Sequence, residues 1–113
     1  LIAAPEYNYS YSPILKNALD WASRGDKTPL DSPLRGKLAG LISASDGYFG
    51  GTRAQHHLRQ VLVRLDVRTF NTPEVFITYA DKKFSPEGEI TEDRVRTSIT
   101  HLLEVLTEAI RKK

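Results

Sequence analysis

Two short segments concentrate the side chains that could hold a flat, polar ligand. Pro5-Glu6-Tyr7-Asn8-Tyr9-Ser10-Tyr11 interleaves aromatic rings with an amide and a carboxylate. A ring stacks on a planar ligand, and an amide hydrogen-bonds its edge. Ser43-Ala44-Ser45-Asp46-Gly47-Tyr48-Phe49-Gly50-Gly51 combines hydroxyls with glycines. Gly47, Gly50 and Gly51 let the backbone turn with positive φ and approach a ligand closely. Ser43 and Ser45 offer hydroxyls, and a helix behind the turn offers free N–H donors. Either segment alone also reads as ordinary structure: a surface loop in which Asn8 caps a turn, or a strand-to-helix turn that needs glycine for its geometry. Glu6 and Asp46 could pair, but no spacing demands it. His56 and His57 are adjacent, so on a helix they point about 100° apart and chelate one ion poorly. His101 stands alone beside an apolar stripe. No metal site and no acid–base catalyst is assigned.

The elements that must position these segments follow from periodicity. Leu1–Ala4 reads as the end of a buried strand stopped by Pro5, which has no N–H for the ladder. Ser12 and Pro13 mark a helix start. Ile14, Leu15, Ala18, Leu19 and Ala22 recur at helical spacing, and Lys16 can pair with Asp20 on the exposed face. Trp21 suits the core, with a subunit contact as the alternative. Gly25–Gly36 is a connecting loop. Lys37–Ser43 is a strand, apolar on both faces between Leu38 and Ile42, which suits a sheet covered on both sides. Thr52 is expected to cap a second helix, with Gln55 completing a capping box. Ala54, Leu58, Val61, Leu62 and Leu65 form its apolar stripe. Val67–Phe70 and Glu74–Thr78 are short strands around Asn71-Thr72-Pro73, followed by a charged loop over Asp81–Glu89. Thr91–Lys113 is the longest helix, with Val95, Ile99, Leu102, Leu103, Leu106 and Ile110 expected to be buried. Its acidic start and basic end complement the helix dipole. Alternation of strands and helices predicts an α/β fold with a parallel sheet, whose ligands bind beyond the carboxyl ends of the strands. Both ring-and-glycine segments leave strands at that edge.

Composition narrows the classes. A chain of 113 residues that is 40% hydrophobic and 27% charged fits one globular domain. The 16 basic residues are nearly matched by 14 acidic ones and are scattered. Despite a pI of about 9.0, no basic face or stacking platform for nucleic acid is visible. The apolar runs are too short for a membrane span and no signal peptide is present, so a cytoplasmic location is expected. Cys is absent, which removes disulfides and thiolate metal sites. Met is absent too, and the chain opens on Leu1-Ile2-Ala3-Ala4. That suggests a start within a strand of a longer protein.

Taken together, the segments resemble a known family. Pro5-Glu6-Tyr7-Asn8-Tyr9-Ser10, followed by Leu15-Lys16-Asn17-Ala18-Leu19-Asp20-Trp21, is similar to the signature of the NADPH-dependent FMN reductases, nearest to the chromate and quinone reductase branch. Ser43-Ala44-Ser45-Asp46-Gly47, Gly50-Gly51-Thr52-Arg53-Ala54-Gln55 and Leu58-Arg59-Gln60-Val61-Leu62 resemble that family's second flavin loop and the helix behind it. Pro73-Glu74-Val75-Phe76-Ile77 resembles its last strand. The resemblance implies a flavodoxin-like three-layer α/β fold, with FMN as cofactor and NAD(P)H as electron donor. The acceptor would be a small molecule such as a quinone or chromate. Pro5, Glu6, Tyr7, Asn8 and Tyr9 would lie along the isoalloxazine ring. Ser43, Ser45 and Gly47 would meet its other edge, with Gly50 and Gly51 shaping the loop. The family also implies homodimers or homotetramers, with Arg53, Arg59 and the Lys16–Trp21 helix near subunit contacts. A non-enzymatic flavodoxin-like electron carrier and an inactive fragment are the alternatives.

One family motif has no counterpart. The Gly-Ser-x-Arg-x-x-Ser phosphate turn is not in the sequence, so the first two β/α units are expected to be missing and the chain to supply strands three to five of the order 2-1-3-4-5. Leu1–Ala4 would then form a sheet edge. The flavin phosphate would lack its helix N-terminus and arginine, and this chain alone would bind FMN poorly.

Overall fold

The computed structural model describes residues 1–113, apart from the side chain of Pro29. Its central sheet is parallel. Strand β1 (Ile2–Ala3) pairs with β5 (Leu41–Ala44), which pairs in turn with β7 (Val75–Ile77). The register sets Ile2 beside Leu41 and Ile42 beside Val75. β4 (Leu38–Ala39) precedes β5 and pairs in parallel with β6 (Arg68–Thr69). The expected strand over Lys37–Ser43 is thus interrupted at Gly40, although the Gly40 carbonyl still accepts from the Ile2 N–H at 2.9 Å.

Helices cover both faces, as a parallel sheet requires. Alternate residues of β5 point to opposite sides. Leu41 joins Ala4, Leu19, Ala39, Leu58, Leu62 and Val67 in a core beneath α1 (Pro13–Ala22) and α2 (Thr52–Arg64). Ile42 packs on a second core of Val75, Ile77, Val95 and Leu102 beneath α3 (Asp93–Arg111). This is a flavodoxin-like α/β arrangement. Complete burial of Leu41, Leu58 and Leu62 contributes roughly 2 kcal/mol each.

Local signals explain most of the element boundaries. Ser12 Oγ accepts from the Leu15 N–H at 3.1 Å, and Pro13 occupies the first helical turn. Lys16 pairs with Asp20 at 2.8 Å. Four further expectations fail. The N-cap of α2 is Gly51 without a side-chain bond: Thr52 donates instead to the Phe49 carbonyl at 2.6 Å, and Gln55 is wholly buried in other contacts, so the capping box does not form. Trp21 is 74% exposed rather than core, because α1 turns only Leu15 and Leu19 inward while Ile14, Ala18 and Ala22 face outward. On α3, Leu103 and Ile110 are exposed, because the sheet beneath is too narrow to cover the whole stripe. Finally, the segment after Pro5 is a tight antiparallel hairpin rather than a loop. β2 (Glu6–Tyr7) pairs with β3 (Ser10–Tyr11) across Asn8 and Tyr9, both at positive φ.

Candidate functional site

The carboxyl ends of β1 and β5 lie side by side, and the two segments singled out by composition leave from them. The hairpin over Glu6–Tyr11 continues from β1. The turn over Ser45–Gly51 continues from β5 and enters α2. Both converge on the first turn of that helix.

Arg53 lies at this meeting point. Its Nε donates to Glu6 Oε1 at 2.7 Å, and its Nη2 lies 2.6 Å from the same oxygen. Glu6 Oε2 accepts from the Ala54 N–H at 3.1 Å. The acid therefore supplies the negative charge and the acceptor that the amino end of α2 otherwise lacks. Its side chain is only 8% exposed. Glu6, expected along a ligand ring, is engaged by Arg53 and the amino end of the helix, and it does not pair with Asp46. The Arg53 guanidinium also lies over two rings, 3.8 Å from the centroid of Tyr9 and 4.3 Å from that of Phe49. Both distances are well within cation–π range.

The glycine turn is held from beneath. Ser43 is buried, and its hydroxyl donates to the Gly50 carbonyl at 2.6 Å while accepting from Gln55 Nε2 at 2.9 Å. Gln55 Nε2 also donates to the Val75 carbonyl at 2.9 Å, and Gln55 Oε1 is buried without a partner. Ser43, expected at the ligand's edge, thus shapes the turn through its hydroxyl. Gly50 and Gly51 have φ of +57° and +83°. A Cβ on Gly51 would lie 2.5 Å from that of Ser43, so glycine is required there for both backbone and space. Gly47 does not share the positive φ. Its carbonyl accepts from the Tyr79 N–H at 3.1 Å. Ser45 Oγ makes a long 3.4 Å contact to that carbonyl, and the residue is half-buried. Pro5, Tyr7, Asn8, Tyr9, Asp46, Tyr48 and Phe49 are exposed along the same edge.

Of the histidines, His57 touches the hairpin, at Ser10, while His56 and His101 lie elsewhere. His56 lies 3.8 Å from Glu74 and packs edge-on against Phe76. His57 Nδ1 is 3.2 Å from Ser10 Oγ, and His101 lies 3.9 Å from Glu104. Among the described residues, no three His, Asp or Glu side chains gather as a metal site would need. Arg59, expected near a subunit contact, donates within the chain to the Phe70 carbonyl at 2.7 Å and to Thr69 Oγ1 at 3.0 Å. Sequence reasoning missed the junction role of Arg53 and the buried role of Gln55. One signal was available for Arg53: a cation in the first turn opposes the helix dipole and needs a nearby acid.

A sequence model of the NADPH-dependent FMN reductases matches residues 1–82. The chain belongs to this family. Among its relatives, an NAD(P)H-dependent FMN reductase of Pseudomonas aeruginosa is 47% identical over 112 residues, covering 99% of this chain and 58% of that protein. A quinone reductase of Escherichia coli is 41% identical over 113 residues, again covering 99% and 58%. A probable NADPH:quinone oxidoreductase of rice, Oryza sativa, is 44% identical over 105 residues, covering 91% and 50%. The fold is matched in three dimensions as well. The flavoenzyme NAD(P)H:(acceptor) oxidoreductase FerB from Paracoccus denitrificans superposes with a TM-score of 0.82 at 28% identity, covering 97% of this chain and 59% of that one. The chain therefore spans half to three fifths of the length of these relatives.

Proposed function

We propose that this chain forms the ring-binding part of an FMN-dependent oxidoreductase that takes electrons from NAD(P)H and passes them to a small acceptor, a quinone or chromate being the nearest chemistry. The observation that carries the proposal is the convergence of two loops, from adjacent strands, at the carboxyl edge of a parallel sheet. Between them they present Tyr7, Tyr9, Tyr48 and Phe49 with the glycine-shaped backbone of Ser45–Gly51. Such an edge fits a flat heteroaromatic group with polar margins. It fits the ring rather than the phosphate, because the cation at this edge, Arg53, is already held by Glu6.

The residues divide the work. Tyr7 and Asn8 would meet the ring from the hairpin, with Pro5 ending the strand so that the hairpin overhangs the sheet edge. Ser45 Oγ and the backbone around Gly47 would meet its other margin. Glu6, Tyr9, Ser43, Gly50 and Gly51 would act by holding the two loops in place. Bound FMN would supply the redox chemistry by accepting hydride equivalents from the nicotinamide, so the protein need provide only position and electrostatics. No side chain here is assigned a proton-transfer role. The proposal includes a homodimer or homotetramer, supported by the exposed apolar face of α1 at Ile14 and Trp21, and a cytoplasmic location. Among the described residues no helix is long and apolar enough to cross a membrane.

The test is an FMN titration of this chain beside a chimera in which the preceding segment of the Pseudomonas relative is joined ahead of Leu1. Flavin fluorescence and NAD(P)H oxidation with a quinone are read for both. We expect the chimera to bind FMN and turn over, and the shorter chain to bind weakly. A chimera that folds yet ignores both FMN and NAD(P)H would end the proposal.

A further inference from the structure

We propose that Arg53 is a clasp that couples the hairpin over Glu6–Tyr11 to the glycine turn over Ser45–Gly51, so that the two loosen together rather than independently. One side chain reaches three places. It pairs with Glu6 at the base of the hairpin and lies over Tyr9 at the hairpin tip. It also lies over Phe49 in the other loop. Its own backbone is in the first turn of α2, a rigid element packed on the core through Ala54, Leu58 and Leu62.

Three features make this more than a surface stack. Glu6 is nearly buried and also accepts from the Ala54 N–H, so the ion pair is anchored to the helix and does not depend on two free side chains finding each other. Tyr9 has a φ of +74°, a backbone state that an aromatic residue leaves readily unless neighbouring contacts hold it. A guanidinium is flat and can donate in its plane while meeting rings with its faces, which an ammonium cannot do. The guanidinium covers one face of Tyr9 and one of Phe49, which still stand 66% and 53% exposed beside Tyr7 and Tyr48 at 58% and 71%. What the loops hold rests on the flavin proposal; their coupling does not.

The test is amide hydrogen exchange on the full chain, comparing wild type with Phe49→Leu and Arg53→Met. Coupling predicts that Phe49→Leu, a change in the glycine turn, speeds exchange of the Glu6–Tyr11 amides about tenfold, with the Val95–Leu106 amides unchanged. Arg53→Met should loosen both loops, and Arg53→Lys should not rescue the glycine turn. If Phe49→Leu affects only its own turn, the clasp is wrong. Should Arg53→Met fail to fold, Phe49→Leu still decides, since its ring is surface-exposed. In the chimera, Arg53→Met should weaken FMN binding about tenfold by lowering the fraction of molecules with both loops in place. Unchanged affinity would overturn the clasp's role in binding. If the wild-type chimera does not bind FMN, the flavin proposal fails while the exchange result still decides the coupling.

Discussion

At Gly51 two independent constraints meet in one residue. Its φ is +83°, and an added Cβ would lie 2.5 Å from Ser43 Cβ and 2.7 Å from Ser43 Oγ. Gly51→Ala should therefore destabilise the fold by about 1–3 kcal/mol, read as a lower urea midpoint at unchanged slope. Ser43→Gly relieves the contact but also removes the buried bonds to Gly50 and Gln55, so the double variant is judged against Ser43→Gly alone, and on that background Gly51→Ala should still cost part of its original loss. No further loss from Gly51→Ala on that background would mean that φ is not strained. The sequence made the need for glycine at positions 50 and 51 legible, because hydroxyl-and-glycine turns between a strand and a helix are recognisable. It could not reveal that Ser43 faces inward. A serine on an apolar strand looks the same whether its hydroxyl meets a ligand or a buried glutamine, and the partner, Gln55, lies one helical turn into the next element.

Among the elements, α1 and α2 carry comparable apolar spacing and meet opposite fates. α2 buries Ala54, Leu58 and Leu62, whereas α1 buries only Leu19. Leu58→Ala should cost about 2–5 kcal/mol through the lost contacts and the cavity left behind. Ile14→Ala, at a position 81% exposed, should cost under about 0.5 kcal/mol in the monomer. Equal costs in thermal unfolding would contradict the burial described. Periodicity located these helices to within a residue or two, since a 3.6-residue repeat is a property of the chain itself. It could not say which stripe would find a neighbour, because that depends on how many strands lie beneath. The hairpin escaped for a different reason: its strands are two residues each, too short for alternation to register. At the far end of α3, Lys112 Nζ donates to Glu108 and holds its carboxyl below the ordinary value of 4.5. A depressed folded pKa gives stability that is present above the unfolded value and lost as pH falls through the folded one. Glu108→Gln should therefore lower Tm slightly near neutral pH, and the difference should close in acid. Both side chains are well exposed, so salt should shrink the effect. A difference that persisted in acid would assign the loss to something other than the ion pair.

As a whole, the molecule is a slab of 47 × 35 × 24 Å with a radius of gyration of 15.0 Å, against about 13 Å for a compact domain of this length. Thinness leaves apolar side chains in water, Ile14 and Trp21 on α1 among them. If the proposed self-association uses that face, Trp21→Glu should reduce the particle mass measured by light scattering. Trp21 is the chain's single Trp, so its emission should shift to the blue with rising concentration in the wild type. An unchanged mass would place the subunit contact elsewhere. The parallel sheet could be inferred from the sequence because strand, helix and strand alternate, while its order was implied only by the family resemblance. The outline could not, since it depends on which edges and faces stay open.

The long connection from Ser23 to Lys37 joins the end of α1 to the start of β4, so it runs beneath the amino ends of the strands, on the side away from both loops. Asp26 and Lys27 are exposed there, and lengthening a loop that is already long costs only about 0.6 kcal/mol per doubling. This gives the molecule a handle. A fluorophore-bearing peptide or a surface tether spliced between Asp26 and Lys27 should leave the opposite rim untouched. The chain could then be immobilised in a defined orientation with its candidate ligand edge facing the solution.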